Sequence, residues 1–191
     1  MNYTELQVTT NFSFLRGASH PEELVGYAAE IGYKAIAITD RNTFAGIVRG
    51  HVAAKKSGIR IIPACRLDLL DGHSLLAFPT DRKAYAEISA LLTLGNRRTE
   101  KGKCNLYKAD VYRHARGSKF VVIPPSSLNA VFEFDKTFIK DLKEYREVLG
   151  TDLYIAASRT YAGDDLKHMH RIYQLAKHLL SKNRININLT Y

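Results

Sequence analysis

Two kinds of apolar run alternate along the chain. Short continuous stretches ("AIAIT", "GIRIIPACRLDLL", "SLLAF", "KFVVIPP" and "DLYIAAS") read as strands. Between them, apolar residues recur at three- and four-residue spacing, the period of an amphipathic helix. A strand is expected over residues 3–9 and a helix over residues 20–32. Ser19 and Glu22 supply an S-x-x-E capping box for that helix, with Pro21 in its first turn. "AIAIT" ends at Asp40, and a helix over residues 43–57 is expected to bury Phe44, Ile47, Val48 and Val52. After a Gly58 stop, "GIRIIPACRLDLL" reads as one continuous strand. Asp81 follows "SLLAF" and caps a helix that holds Tyr85, Ile88, Leu91 and Leu92. In the second half two prolines stop "KFVVIPP", and a helix over residues 135–149 ends at Gly150. After "DLYIAAS", a helix over residues 164–181 aligns Leu166, Met169, Tyr173, Ala176 and Leu180 in one stripe. "RININLTY" starts a further strand.

Strands that are apolar throughout and alternate with helices imply a parallel sheet covered by helices. Their number suits a closed or nearly closed barrel better than an open three-layer sheet. Residues 95–108, "GNRRTEKGKCNLYK", read as an insertion loop.

Composition narrows the picture. With 191 residues, 46% apolar and 25% charged, the chain suits one globular domain with one core. No apolar run approaches the roughly 18 residues of a membrane span, and no secretory signal opens the chain. A cytoplasmic protein without a membrane partner is expected. Cys65 and Cys104 form no C-x-x-C pair, which excludes a cysteine zinc cluster and argues against a disulfide. The net charge of +9 favours a polyanion, nucleic acid first, although solubility alone accounts for it equally well.

In a parallel barrel the working residues stand at the C-terminal ends of the strands. Those ends carry Gln7, Thr9 and Asn11, then Asp40 and Arg41, then Arg66, with His73 and Ser74 opening the next strand. A hydrolytic metal centre needs imidazoles and carboxylates. An arginine cannot ligate a cation, because it stays protonated and offers no lone pair. Elsewhere, Arg97, Arg98, Lys101, Lys103 and Lys108 with Tyr107 form a basic loop that could touch a phosphate backbone; a solvated loop is the simpler reading. His168, His170 and His178 lack the i, i+4 spacing of a helical metal pair and read as solvated. His20 belongs to a helix entry, His51 and His114 show no partner, and Ser126 and Ser127 read as a helix cap.

"NFSFLRGASHPEELV", "AIAITD" and "GIRIIPACRLDL" together resemble the N-terminal PHP (polymerase and histidinol phosphatase) domain of bacterial DNA polymerase III alpha subunits. The likeness is closest to the error-prone type. "TDRKAYAEISALLTLGNRRTEKGKCNLYKADV" extends it, and residues 3–125 carry most of it. The resemblance implies an α/β fold, a distorted parallel (β/α)7-type barrel related to the TIM barrel, with the last strand incomplete here. Active members bind divalent metals such as zinc or manganese. Their ligands are a His-x-His pair with a following acidic residue, an Asp-His, a Glu, a later His and a final Asp-x-His. Carried over, these positions hold Gln7 and Thr9, Asn11, Asp40 and Arg41, Arg66, and Ser74 with His73 one residue out of register. The Asp-x-His would follow Thr190.

The resemblance therefore implies a barrel over residues 1–191, a fragment of a longer polymerase subunit, with a degenerate metal site. No catalytic residue and no cofactor are expected. The partners implied are the remainder of the subunit and, weakly, DNA. Arg41 or Arg66 is expected to pair with Asp40. The competing readings are a metal-dependent phosphoesterase or 3'-5' exonuclease, and a stand-alone basic nucleic-acid-binding protein.

Overall fold

A computed structural model describes residues 3–159, 161, 163–179 and 185–187. The elements run β1 (Thr4–Glu5), α1 (Pro21–Glu30), β2 (Ala35–Ile38), α2 (Ile47–Ser57), β3 (Arg60–Pro63), β4 (Cys65–Leu67) and β5 (Leu75–Pro79). They continue with α3 (Arg82–Arg97), α4 (Lys108–Arg113), β6 (Ser118–Val122), α5 (Lys136–Leu149), β7 (Leu153–Ala157), α6 (Asp165–Leu179) and β8 (Ile185–Ile187).

The order β1-β2-β3 forms one sheet, parallel throughout, and β4-β5-β6-β7-β8 forms a second. β3 and β4 meet at a bend at Ala64. Pairing with the β2 side persists across the bend: Ala64 N donates to Ile38 O (3.2 Å), Arg66 N to Asp40 O (3.0 Å) and Asn42 N to Arg66 O (2.8 Å). The single strand expected over "GIRIIPACRLDLL" is thus two strands that meet at Ala64, and the second ends at Leu67. The distortion of the barrel lies at β5, which runs antiparallel to both β4 and β6, while β6, β7 and β8 are parallel. Residues 68–74 join β4 to β5 without a helix, and only antiparallel neighbours can be linked so briefly.

Side-chain parity separates the two faces. Cys65, Ala77, Phe120 and Leu153 stand in register on one face and join the main core beneath α3, α5 and α6. Arg66, Leu76, Val121 and Tyr154 form the next row, on the opposite face. Asp68 and Ser74 share that inner parity, and His73 does not. Among the described residues no helix is long and apolar enough to cross a membrane.

Several local expectations shift. The α1 capping box is one residue later than Ser19 and Glu22: His20 N donates to Glu23 Oε2 (2.7 Å), and Glu22 meets Arg49 of α2 instead. α2 buries Ile47, Gly50 and Ala54, while Val48 and Val52 are 70% and 49% exposed. The cause is close approach: a Cβ at Gly50 would lie 2.5 Å from Ile38 Cδ1 and 2.7 Å from Ile61 Cδ1. Beyond Ile47, the small residues Gly50 and Ala54 mark the buried face in place of Val48 and Val52. On α6, Leu166 and Tyr173 are exposed, whereas His168, Ile172 and Ala176 are buried. His168 is therefore not solvated; its Nε2 bonds Pro125 O (2.8 Å) and its ring meets Phe134 edge-on. Leu180 and most of "RININLTY" lie outside the described residues, apart from β8. No helix follows Ser126 and Ser127; α5 is capped by Asp135, which accepts from Thr137 N (2.7 Å). Asp81 caps α3 as read, accepting from Ala84 N (2.8 Å).

The α2 register predicts opposite outcomes for neighbouring substitutions. Ala54→Leu should overpack the face against the sheet and cost about 1–3 kcal/mol. Val52→Ala should change stability by about 0.5 kcal/mol or less. Urea unfolding of the two variants measures both; the reverse order would restore the large-residue face.

Candidate functional site

Asp40, just past β2, is fully buried. Its Oδ1 accepts from Thr10 N (2.8 Å) and Ser13 Oγ (2.7 Å), and its Oδ2 from Thr10 Oγ1 (2.8 Å). Ser13 Oγ also accepts from Arg41 N (2.9 Å). Three donors thus converge on this one carboxyl group, which leaves it tied to the loop after β1. Glycines close the space around it. A Cβ at Gly46 would fall 2.7 Å from Asp40 Oδ2, and one at Gly17 would fall 2.4 Å from Thr10 O. The loop after β1 is thereby folded back on itself. Its tip presents Phe14 and Leu15, 84% and 85% exposed, with Leu15 in the left-handed region at φ 59°.

The two arginines converge on a different carboxylate from the one expected. Arg41 Nη1 donates to Asp68 Oδ2 (2.9 Å) and Arg66 Nε to Asp68 Oδ1 (2.7 Å). Ser74 Oγ donates to the same Oδ1 (2.6 Å) and accepts from Arg66 Nη2 (3.2 Å). Asn42, at φ 50°, fixes the backbone of the acid by accepting from Asp68 N (2.9 Å). Burial alone would push Asp68 up. The bonds from Ser74 and Arg66 and the charges of Arg66 and Arg41 outweigh it and hold the carboxyl below its usual range. The expected pairing of Arg41 or Arg66 with Asp40 is thus replaced by pairing with Asp68. Parity explains it: Asp68 lies two residues from Arg66 on one strand face, whereas Asp40 turns toward the loop after β1.

The other predicted residues do not join this group. Gln7 and Thr9 are half-buried beyond β1, where Gln7 N bonds Glu5 Oε1 (3.0 Å). Asn11 Nδ2 meets His20 Nδ1 (2.9 Å). Among the described residues, no hydrogen bond ties Gln7, Thr9 or Asn11 to Arg41, Arg66 or Asp68. Ser74 does join it. His73 faces the other way, with Nδ1 2.7 Å from Asp141 Oδ2. Sequence reasoning missed Thr10, Ser13, Asn42 and Asp68. The Arg66-x-Asp68 spacing was the available signal, since alternate strand residues share a face.

Much of the basic loop is engaged internally. Lys108 Nζ reaches Glu144 (2.6 Å) and Asp141 (3.2 Å), and Tyr112 OH also donates to Glu144 (2.8 Å). Burial alone would lower the Lys108 ammonium, but those two acids hold it above its ordinary range. Arg98 binds Asp110 and lies over the Tyr107 ring, and Lys103 pairs with Glu100 (3.4 Å). Arg97 and Lys101 are exposed. His114 has a partner after all, Glu87 Oε2 at 2.8 Å.

A divalent metal of the kind that active members hold does not fit these residues. Among the described residues no three His, Cys, Asp or Glu side chains gather as a ligand set. At the cleft, two guanidiniums occupy the inner face and would repel a cation.

Comparison with known proteins agrees with this architecture. The PHP domain family model matches residues 5–159. An error-prone DNA polymerase of Caulobacter vibrioides is 46% identical over 176 residues, 92% of this chain and 16% of that protein. Error-prone DNA polymerase 2 of Agrobacterium fabrum is 42% identical over 176 residues, with the same shares. The chain thus spans 16% of the length of these curated relatives. Among solved structures, a protein assigned as a metal-dependent phosphoesterase from Bifidobacterium adolescentis superposes with TM-score 0.64 at 15% identity, covering 93% of this chain and 84% of its own. An amidohydrolase from Chromobacterium violaceum gives TM-score 0.62 at 16% identity, covering 91% and 82%. These two likenesses concern the fold alone.

Two outcomes follow from the carboxylates. Asp40→Ala strands three donors and should cost on the order of 3 kcal/mol in denaturant unfolding. Asp68 has a folded-state pKa below its unfolded value, near 3.9. Its stabilisation is present above that value and is lost as pH falls through the folded one. The stability of the wild type should therefore drop below about pH 4 more steeply than that of Asp68→Asn. Parallel urea midpoints across that range measure the difference; equal slopes would remove Asp68 from the account.

Proposed function

The chain belongs to the PHP domain family, and from that premise we propose that it is the N-terminal, non-hydrolytic module of an error-prone DNA polymerase of the polymerase III alpha type. In this reading residues 1–191 form one barrel domain that serves structure and contacts, and the remainder of the subunit is its partner. The observation that carries the reading is Asp68 shared between Arg41 and Arg66. Hydrolysis at neutral pH needs a metal to acidify water and to hold phosphoryl oxygens. Guanidiniums at the strand ends do not acidify water, and here both are already held by Asp68. Instead they pin the strand ends by charge-assisted hydrogen bonds, in the place where ligands would converge. The identity to error-prone polymerases over 92% of the chain supports the polymerase context. Arg97 and Lys101 supply a weak, salt-sensitive contact with DNA.

The isolated chain should release no phosphate from phosphomonoesters and no nucleotides from single-stranded DNA with added Mn²⁺ or Zn²⁺, and elemental analysis should find well under one metal ion per chain. Metal-dependent release that vanishes in Asp40→Ala would overturn the reading. Within a full-length polymerase carrying this domain, Asp40→Ala should lower the thermal midpoint while synthesis per folded molecule stays near the original rate.

A further inference from the structure

α5 and α6 both pack on the sheet beside β7, and between their outer faces lies a cavity of about 630 Å³. Its floor is apolar, built from Ile139, Leu175 and the edge of Phe134. Its rim is cationic. Lys136, Lys140 and Lys143 follow one another at i, i+4 and i+7 on α5, so they stand on one helix face. Arg171 faces them from α6. All three lysines are exposed, and among the described residues none makes a close ion pair, although Lys136 acts on its neighbour Asp135 through charge. This contrasts with Lys108 and Arg98, whose charges carboxylates of the chain already hold. Arg171 is fixed from below by Phe132 O (2.7 Å) and Gln174 (3.0 Å). Glu133 is the single carboxylate at the mouth, 4.0 Å from Arg171.

We propose that this groove docks a short acidic peptide segment bearing a large apolar side chain. Three unpaired ammoniums around an apolar floor are complementary to carboxylates flanking a Leu or Phe, a pairing that fixes register and partner together. The stripe spans about 10 Å of helix, the reach of about three residues of extended peptide. Single-stranded DNA fits less well, because it is held through exposed aromatic faces on which bases stack. The one aromatic of the floor, Phe134, is 6% exposed and packs against Phe138 and His168. The site is independent of the arginine cleft and of the polymerase reading.

The test is fluorescence anisotropy of the full chain with a labelled peptide, Asp-Asp-Glu-Leu-Phe-Glu-Asp, at low salt. Saturable binding is expected, weakened about tenfold or more, some 1.4 kcal/mol, by Lys140→Glu with Lys143→Glu. A peptide with Ser-Ser in place of Leu-Phe should bind about tenfold more weakly as well. Lys55→Glu with Lys56→Glu, on the exposed end of α2, should leave binding unchanged. Absence of saturable binding overturns the proposal. So does an equal loss in the α2 variant, which would mean attraction to net charge alone. Tighter binding of labelled oligothymidine that is lost with Lys140 and Lys143 would make the groove a nucleic-acid surface instead.

Discussion

The hydrogen-bonded seam between residues 38–42 and 64–68 holds the two halves of this molecule together. Through it the parallel strands of the first half pass into the mixed strands of the second without a gap. The seam also sets the side chains. With Arg66 N bonded to Asp40 O and Asn42 N to Arg66 O, alternation sends Arg66 and Asp68 to the inner face. Asp40 turns to the loop after β1, while Arg41 reaches along the strand to Asp68. One backbone register thus yields two separate constructions, a buried carboxyl group closed in by hydroxyls and a carboxylate shared between guanidiniums.

Both constructions tie strand ends together mechanically. A divalent ion ties strand ends to one another by drawing several donors to a point. Here Thr10 and Ser13 tie the first loop to β2 through Asp40, and Asp68 with Ser74 ties the ends of β2, β4 and β5. Neither arrangement adds much net stability over an apolar packing of the same volume, because desolvation offsets most of the attraction. What they fix is geometry.

The fold was legible because buried strands announce themselves as apolar runs, and "AIAIT", "SLLAF" and "DLYIAAS" each form a strand. The family resemblance pointed to the strand ends, where Arg41, Arg66 and Ser74 come together while Gln7 and Asn11 meet other partners. Helix faces were less legible. Hydropathy favours Val48 and Val52, but contact with a sheet at short range favours Gly50 and Ala54, and composition alone does not reveal the distance. His168 misled in the same way, since a polar ring enters a core when a carbonyl such as that of Pro125 receives it. The partner of the arginines was missed because pairing depends on strand parity, and parity becomes certain only when the bend at Ala64 is seen. Net charge misled locally: Lys108, read as part of an open basic loop, is held by Asp141 and Glu144.

The reversal at β5 bears on how the chain finds its shape. Every parallel pairing here must wait for a crossover that carries its ends back across the sheet, and each such closure forfeits chain entropy in proportion to the logarithm of its length. The β4–β5 pairing closes only residues 68–74, so it is the most local contact in the sheet. It also brings Arg66, Asp68 and Ser74 together. The arginine–carboxylate group is therefore mostly assembled by a hairpin, and the arrival of Arg41 with the first half of the chain completes it. A distortion of the barrel that looks like a flaw in the symmetry gives the ordering of the strand ends a short-range start.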